Sequence, residues 1–215
     1  FLGWGEWYAA QQEPLKLRWG QERLMQPLPT FHTNATGNSF MGMLISGGAQ
    51  IILDRFHPRS WWQDAVETGA TCFHYLGVMP AMLLNLPPSP LDRAHKIRFA
   101  MGGGVHASHH AAFEQRFGLA LTSGWAMTET GGSATLVDWE EPRRIGLHCM
   151  GRPDRPGPPM EIRNVDDAGN DVPRGTAGNF LVRAKGPDPR KRFFSGYLKD
   201  EAATAAAWQG GWLNT

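Results

Sequence analysis

The sequence predicts an α/β fold: a layered, largely parallel sheet with flanking helices, followed by a smaller β-rich unit. Three observations carry that reading. Between Ala49 and Ser123, short β-branched or aromatic runs alternate with helical stretches, the pattern of a parallel sheet with crossover helices. Several of those runs end in glycine, most plainly "AMGGGVHAS" from Ala100 to Ser108. After Gly151 the strands follow one another without helices between them, as in an antiparallel unit.

The elements read in order as follows. "PLKLRWGQERLMQPLPTFH" carries the mixed polar and aromatic first thirty residues through a turn into a strand. "AQIILDRF" (Ala49 to Phe56) contains a strand core. "HPRSWWQDAVETGAT" reads as a helix: Ser60 and Gln63 have capping-box spacing, Trp61, Ala65 and Val66 form an apolar stripe, and Gly69 is the stop. "TCFHYLGV" is a strand, and "MPAMLLNLPPSP" a short helix broken by prolines. "KIRFAMGGG" is a strand running into glycines, Ser108 to Phe117 a helix stopped by Gly118, and "LALTS" a further strand. "MEIRNVDDAGNDVP" and "GNFLVRAKG" are strands joined through an Asp-Ala-Gly-Asn turn, and "EAATAAAW" is a short helix with Asp200 as N-cap. The change of pattern puts a boundary between Gly146 and Gly151, giving an α/β subdomain over 1–148 and a β-rich subdomain over 149–215.

Composition narrows the function classes. Of 215 residues, 41% are hydrophobic and 19% charged, the balance of a globular rather than disordered chain. A net charge of +1 gives no argument for a nucleic-acid partner. No apolar run approaches the ~20 residues that span a bilayer, and "FLGWGEWYAAQQ" lacks the basic start and apolar core of a signal peptide. Cys72 and Cys149 are too far apart for a compact metal motif and read as free thiols of a cytoplasmic enzyme.

The candidate chemistry sits in a few places. Gly102, Gly103 and Gly104 follow a strand, where a ligand can approach bare backbone, but they lack dinucleotide or P-loop spacing. "LTSGWAMTETGG" offers Trp125 as a flat face for a base, Thr128 as a hydroxyl and Glu129 as a hard oxygen ligand for Mg²⁺. Taken alone it reads more readily as a polar loop with a solvated carboxylate. His32 in "PLPTFHTNATGN" is a core histidine or a gate residue, and spacing favours the core. His106, His109 and His110 have one-face helical spacing, yet no further ligand follows and Glu114 reads as an ordinary helix-surface acid, which argues against a metal. "TSGWA" lacks the first glycine of a nucleophile elbow.

Taken together, "PLPTFHTNA", "GGG" before a helix, "SGWAMTETG", "GRP" leading to "EIRNVDDAGNDVPRGTAGNFLVRAKG", and "SGYLKDEAATAAAWQGGWLNT" resemble the adenylate-forming superfamily: acyl-CoA synthetases, adenylation domains of peptide synthetases and beetle luciferases. The likeness runs from about Glu22 to Thr215 in family order, and from "RRIG" onward is similar to crotonobetaine/carnitine-CoA ligases. It implies a part of the family's N-terminal domain and an ATP-, Mg²⁺- and coenzyme A-dependent ligase acting on a small-molecule carboxylate, either a short polar acid or a medium acyl chain. By the resemblance, Gly102, Gly103 and Gly104 line the adenine and acyl pocket. Trp125 stands where a Tyr usually faces adenine, Thr128 contacts phosphate, Glu129 binds Mg²⁺, and His32 lies beside the acyl pocket and pantetheine tunnel. "NATGN" and "TGGSA" supply small residues that leave room for an acyl chain or suit tight packing. The family's phosphate loop, its ribose-binding Asp and its mobile C-terminal domain fall outside Phe1 to Thr215, so the chain reads as a fragment with little or no adenylation activity of its own. An adenylation domain loading a carrier protein and a non-catalytic binding module are the alternatives; a homodimer is left open.

Overall fold

The computed structural model describes residues 1–131, 136–138, 142–152 and 160–215. Its centre is a six-stranded sheet. Strands β1 (Arg23–Gln26), β2 (Ala49–Ile52), β3 (Cys72–Leu76), β4 (Phe99–Gly103) and β5 (Ala120–Trp125) are parallel in the order β2-β1-β3-β4-β5, and β6 (Leu136–Val137) adds antiparallel to β5. The expected largely parallel α/β layer is therefore present. β3 and β4 pair from Cys72↔Phe99 to Leu76↔Gly103, which brings the glycine end of β4 level with the end of β3.

Side-chain alternation explains why these strands read as continuous apolar runs. Met25, Phe73, Tyr75, Ala100 and Leu121 belong to one buried cluster, while Leu24, Cys72, Phe99 and Met101 belong to another. Successive residues of a strand point to opposite faces, so a strand covered on both sides must be apolar at nearly every position. One face carries α3 (Trp61–Thr68), α4 (Val78–Leu84) and α5 (Ala107–Phe117); the other carries α1 (Leu2–Ala9) and α2 (Met41–Ser46). Trp61 is fully buried and meets Phe73 edge-on at 5.1 Å, and Trp62 lies 4.5 Å from Phe117.

The helix ends bear out two expectations and correct one. Gly69 and Gly118 stop α3 and α5 in left-handed backbone, as read. The Ser60–Gln63 capping box does not form: the Ser60 hydroxyl donates to Asp64 Oδ2 at 2.9 Å and Gln63 turns to Glu67. Asp64 in the first turn is an ionised acceptor and takes the hydroxyl that would have capped the backbone. The buried side of α3 is Trp61, Trp62 and Ala65, with Val66 only half-buried.

Several elements have no counterpart in the sequence reading, among them α1 and a π-helical turn over Asn34–Phe40 that runs into α2. α1 carries Gly3 and Gly5, and the turn and α2 carry Gly37 and Gly42, all unfavourable in a helix interior. A Cβ on Gly5 would lie 2.5 Å from Ile45 Cδ1 and 2.9 Å from the Met41 carbonyl oxygen. The glycines thus permit α1 and α2 to touch, and that contact outweighs their low propensity.

The second sheet is antiparallel, in the order β7-β8-β10-β9: β7 (Met160–Val165), β8 (Asn179–Ala184), β9 (Trp208–Gln209) and β10 (Trp212–Asn214). Asp166 shapes the turn after β7, its Oδ1 accepting from the amides of Ala168 and Asn170 at 2.9 Å. Asp200 caps α6 (Glu201–Ala207) by accepting from the Ala203 amide at 2.8 Å. Trp125, at the end of β5, packs edge-on against Phe180 of β8 with ring centres 4.9 Å apart, joining the two sheets.

Removing the largest buried ring tests this packing. Trp61→Ala is expected to lower unfolding stability by about 3–5 kcal/mol, seen as an earlier urea midpoint; an unchanged midpoint would refute the assigned core.

Candidate functional site

The carboxyl ends of β3, β4 and β5 open into a cavity of about 450 Å³, where open α/β sheets hold ligands. Its wall includes Gly102, Gly103, Trp125, Thr128, Glu129 and His32 of the residues singled out from the sequence. Gly104 does not line it; at φ +77° it turns the chain away toward α5, and its carbonyl oxygen lies where a Cβ on Gly77 would be, at 2.0 Å. Gly102 is bare for an internal reason: a Cβ there would sit 2.2 Å from the Tyr75 carbonyl oxygen. Of the small-residue stretch "TGGSA", Gly132 to Ala134 lie outside the described residues.

The loop after β5 is held by its own hydroxyls and by segment 194–197. Thr130 is fully buried, its Oγ1 donating to the Met127 carbonyl at 2.8 Å and accepting from the Met127 amide at 3.1 Å. That turn leaves Thr128 exposed, with its hydroxyl 3.5 Å from that of Thr33 across the cavity mouth. Glu129 is half-buried; its Oε1 accepts from the Tyr197 hydroxyl at 2.9 Å, and its backbone carbonyl accepts from the Phe194 amide at 2.9 Å.

His32 is not a core residue. It is exposed at the start of the π-helical turn, and its Nδ1 accepts from the Asn34 amide at 3.1 Å. The local Pro-framed apolar segment suggested burial, but the turn directs the ring outward. The buried histidine is His74 on β3, which the sequence reading did not single out. Its Nδ1 lies 2.7 Å from Asn34 Oδ1 and 2.9 Å from the Ser39 hydroxyl, and its Nε2 lies 3.1 Å from the Tyr8 hydroxyl. An amide oxygen only accepts, so Nδ1 carries the proton and Nε2 accepts from Tyr8. Asn34 also lines the cavity, so this buried network fixes part of its wall. Burial holds the His74 pKa down to about 3, keeping the ring neutral.

Two of the other histidines serve the fold. His106 caps α5, its Nδ1 accepting from the Ser108 amide at 3.3 Å, and His110 Nδ1 accepts from the Gly146 amide at 3.2 Å. No cluster of three metal-ligating side chains exists among the described residues. Glu114, expected on the helix surface, is instead an anchor: it accepts from the Leu121 amide at 2.7 Å and from both terminal nitrogens of Arg143. Burial raises its pKa, but hydrogen bonds from His110, Arg143 and the Leu121 amide outweigh that and hold it at about 2.

A lone carboxylate is a modest metal site, but it suits a magnesium ion that takes its remaining ligands from water and substrate phosphates. Glu129 fits that need: among the described residues its Oε2 takes no hydrogen bond, and Thr128 lines the same cavity.

Comparison with known proteins decides the family. The profile described as "AMP-binding enzyme" matches residues 5–198. The chain belongs to the AMP-binding enzyme family. Curated relatives of this AMP-binding chain include a medium/long-chain-fatty-acid–CoA ligase of Mycobacterium tuberculosis, 27% identical across 91% of this chain and 34% of the relative. A crotonobetaine/carnitine–CoA ligase of Salmonella paratyphi B is 27% identical across 100% of this chain and 40% of the relative. The chain thus spans between about a third and two fifths of these proteins. A benzoate CoA ligase from Burkholderia xenovorans superposes with a TM-score of 0.82 at 21% identity, covering 99% of this chain and 42% of that one. ATP-bound MatB from Rhodopseudomonas palustris gives 0.77 at 20%, covering 100% and 39%. At such identity these structures establish the fold that the AMP-binding chain shares with them.

Acid tests the buried network. His74 is neutral when folded but takes up a proton near pH 6.5 when unfolded. Its stabilising contribution is therefore complete above pH 6.5 and is lost as pH falls toward 3, at up to about 1.4 kcal/mol per unit. Urea midpoints at pH 7 and pH 5 are expected to differ less in His74→Gln than in wild type; equal differences would refute the assignment.

Proposed function

We propose that this chain forms part of the substrate site of an ATP- and Mg²⁺-dependent acyl-CoA ligase. In the reaction, a carboxylate oxygen attacks the α-phosphorus of ATP, pyrophosphate leaves, and the thiol of coenzyme A then displaces AMP from the acyl-adenylate. What carries the reading is the convergence of His32, Gly102, Gly103, Trp125, Thr128 and Glu129 on one cavity in a chain of the AMP-binding family. Displacement at phosphorus depends on positioning and charge neutralisation more than on a protein nucleophile, which suits a site of aromatic, hydroxyl and carboxylate groups.

In this proposal Trp125 is the platform for adenine, braced by its T-shaped contact with Phe180. Thr128 offers a hydroxyl to phosphate. Glu129 holds the magnesium ion, whose chemistry is to neutralise phosphate charge. His32 stands at the mouth, beside the path for acyl group and thiol. The curated relatives act by name on fatty acids, sulfoacetate and crotonobetaine or carnitine; common to them is a carboxylate joined to coenzyme A, and the proposal extends to that class and no single acid. A cytoplasmic location belongs to the same proposal, supported by two unpaired cysteines and by the supply of ATP and coenzyme A. Among the described residues, no helix is long and apolar enough to cross a membrane.

The test uses the full-length protein that carries this chain. Carboxylate-dependent ATP–pyrophosphate exchange is expected, and Glu129→Gln is expected to reduce it roughly 10²-fold, because a bound metal supplies several kcal/mol of charge stabilisation. Exchange supported only by amino acids would overturn the acyl-CoA reading, and full activity in Glu129→Gln the metal assignment.

A further inference from the structure

We infer that Tyr197 is a positioning residue for the carboxylate of Glu129, delivered to the cavity from the second structural unit. The inference rests on the proposed role of Glu129 as cation ligand and concerns what aims it.

Segment 192–197 meets the cavity loop at three points. The Phe194 amide donates to the Glu129 carbonyl, and the Tyr197 hydroxyl donates to Glu129 Oε1, both at 2.9 Å. An ionised carboxylate only accepts, so the phenol must be the donor. Between these, the chain passes so close that a Cβ on Gly131 would lie 2.1 Å from the Arg192 carbonyl oxygen; Gly131 has φ +53° and Arg192 φ +69°. Glu129 is therefore held at its backbone and at its side chain by the same segment.

Tyr197 is itself anchored. Its amide donates to the Thr204 hydroxyl at 2.9 Å on α6, and that hydroxyl donates to the Asp200 carbonyl at 2.8 Å. Its ring packs edge-on against Phe194 at 5.0 Å. Arg192, at the head of the segment, pairs with Glu6 of α1 at 2.9 Å. The phenol thus reaches a carboxylate 68 residues earlier from a site fixed on both sides. One oxygen of Glu129 is committed to Tyr197, which sets the carboxylate plane and leaves Oε2 for a cation. A hydrogen-bond partner that orients a ligating carboxylate is worth roughly 10- to 100-fold in metal affinity.

The experiment measures how magnesium changes ATP affinity in the full-length protein that carries this chain, from the Trp125 indole signal in two-dimensional NMR, with Mg²⁺ and with EDTA. Wild type is expected to bind ATP more tightly with Mg²⁺. Tyr197→Phe keeps the ring on Phe194 and removes only the hydroxyl; it is expected to shrink the magnesium gain roughly tenfold, toward that of Glu129→Gln. Its affinity in EDTA and its thermal midpoint are expected to stay at wild-type values, which a merely structural hydroxyl would not allow. A Tyr197→Phe gain equal to wild type, with Glu129→Gln reduced, overturns the inference and leaves the cation reading standing. A wild type without any magnesium-dependent signal, or a Glu129→Gln variant equal to it, overturns the cation reading and this inference together.

Discussion

Two-sided burial of the parallel sheet is the constraint on which the rest depends. Because consecutive residues of β1, β3, β4 and β5 serve opposite cores, a slip of one residue would exchange both sets at once and leave neither face packed. The register is pinned accordingly, and with it the level at which the strands end. A cavity at the carboxyl ends follows: helices cover the faces, so only the ends of the sheet stay open to a ligand.

What turns that opening into a chemical site is polar and long-range. On one side, Asn34 is held by His74, 40 residues later, in a network closed by Ser39 and Tyr8. On the other, the loop after β5 is fastened to segment 192–197. Both sets of partners are neutral or charge-assisted hydrogen bonds between groups far apart in sequence, so the cavity wall takes this shape only when both sets are made.

The division between what the residues announced and what they concealed follows the same line. Strands with apolar runs and helices closed by Gly69 and Gly118 obey local rules and could be read directly. The positions of Thr128 and Glu129 were legible only from the order of several weak motifs, since each alone resembles a solvated turn. Unread were α1 and the π-helical turn, whose glycines oppose helix formation until a neighbouring helix rewards close approach. His32, placed in the core by spacing and beside the acyl pocket by resemblance, is exposed, and Glu114, placed at the surface, is anchored by Arg143. For Glu114 the deciding partner comes from tertiary contact; for His32 the direction comes from the local turn, where Nδ1 accepts from the Asn34 amide. Tyr197 falls inside the quoted "SGYLKDEAATAAAWQGGWLNT", but nothing local assigns its hydroxyl a role, because the carboxylate it meets lies 68 residues earlier.

Bare backbone on the cavity floor has a consequence for how such a site diversifies. Gly102 faces the Tyr75 carbonyl with no room for a methyl group, and a Cβ on Gly124 would lie 2.6 Å from the Leu136 carbonyl. Neither position can exchange its residue to reshape the cavity without prising strands apart. Variation in size and polarity is thereby confined to the walls, the turn around His32 and Asn34 and the loop from Trp125 to Glu129. A lineage built on this frame can change its substrate by rewriting loops while the floor stays the same.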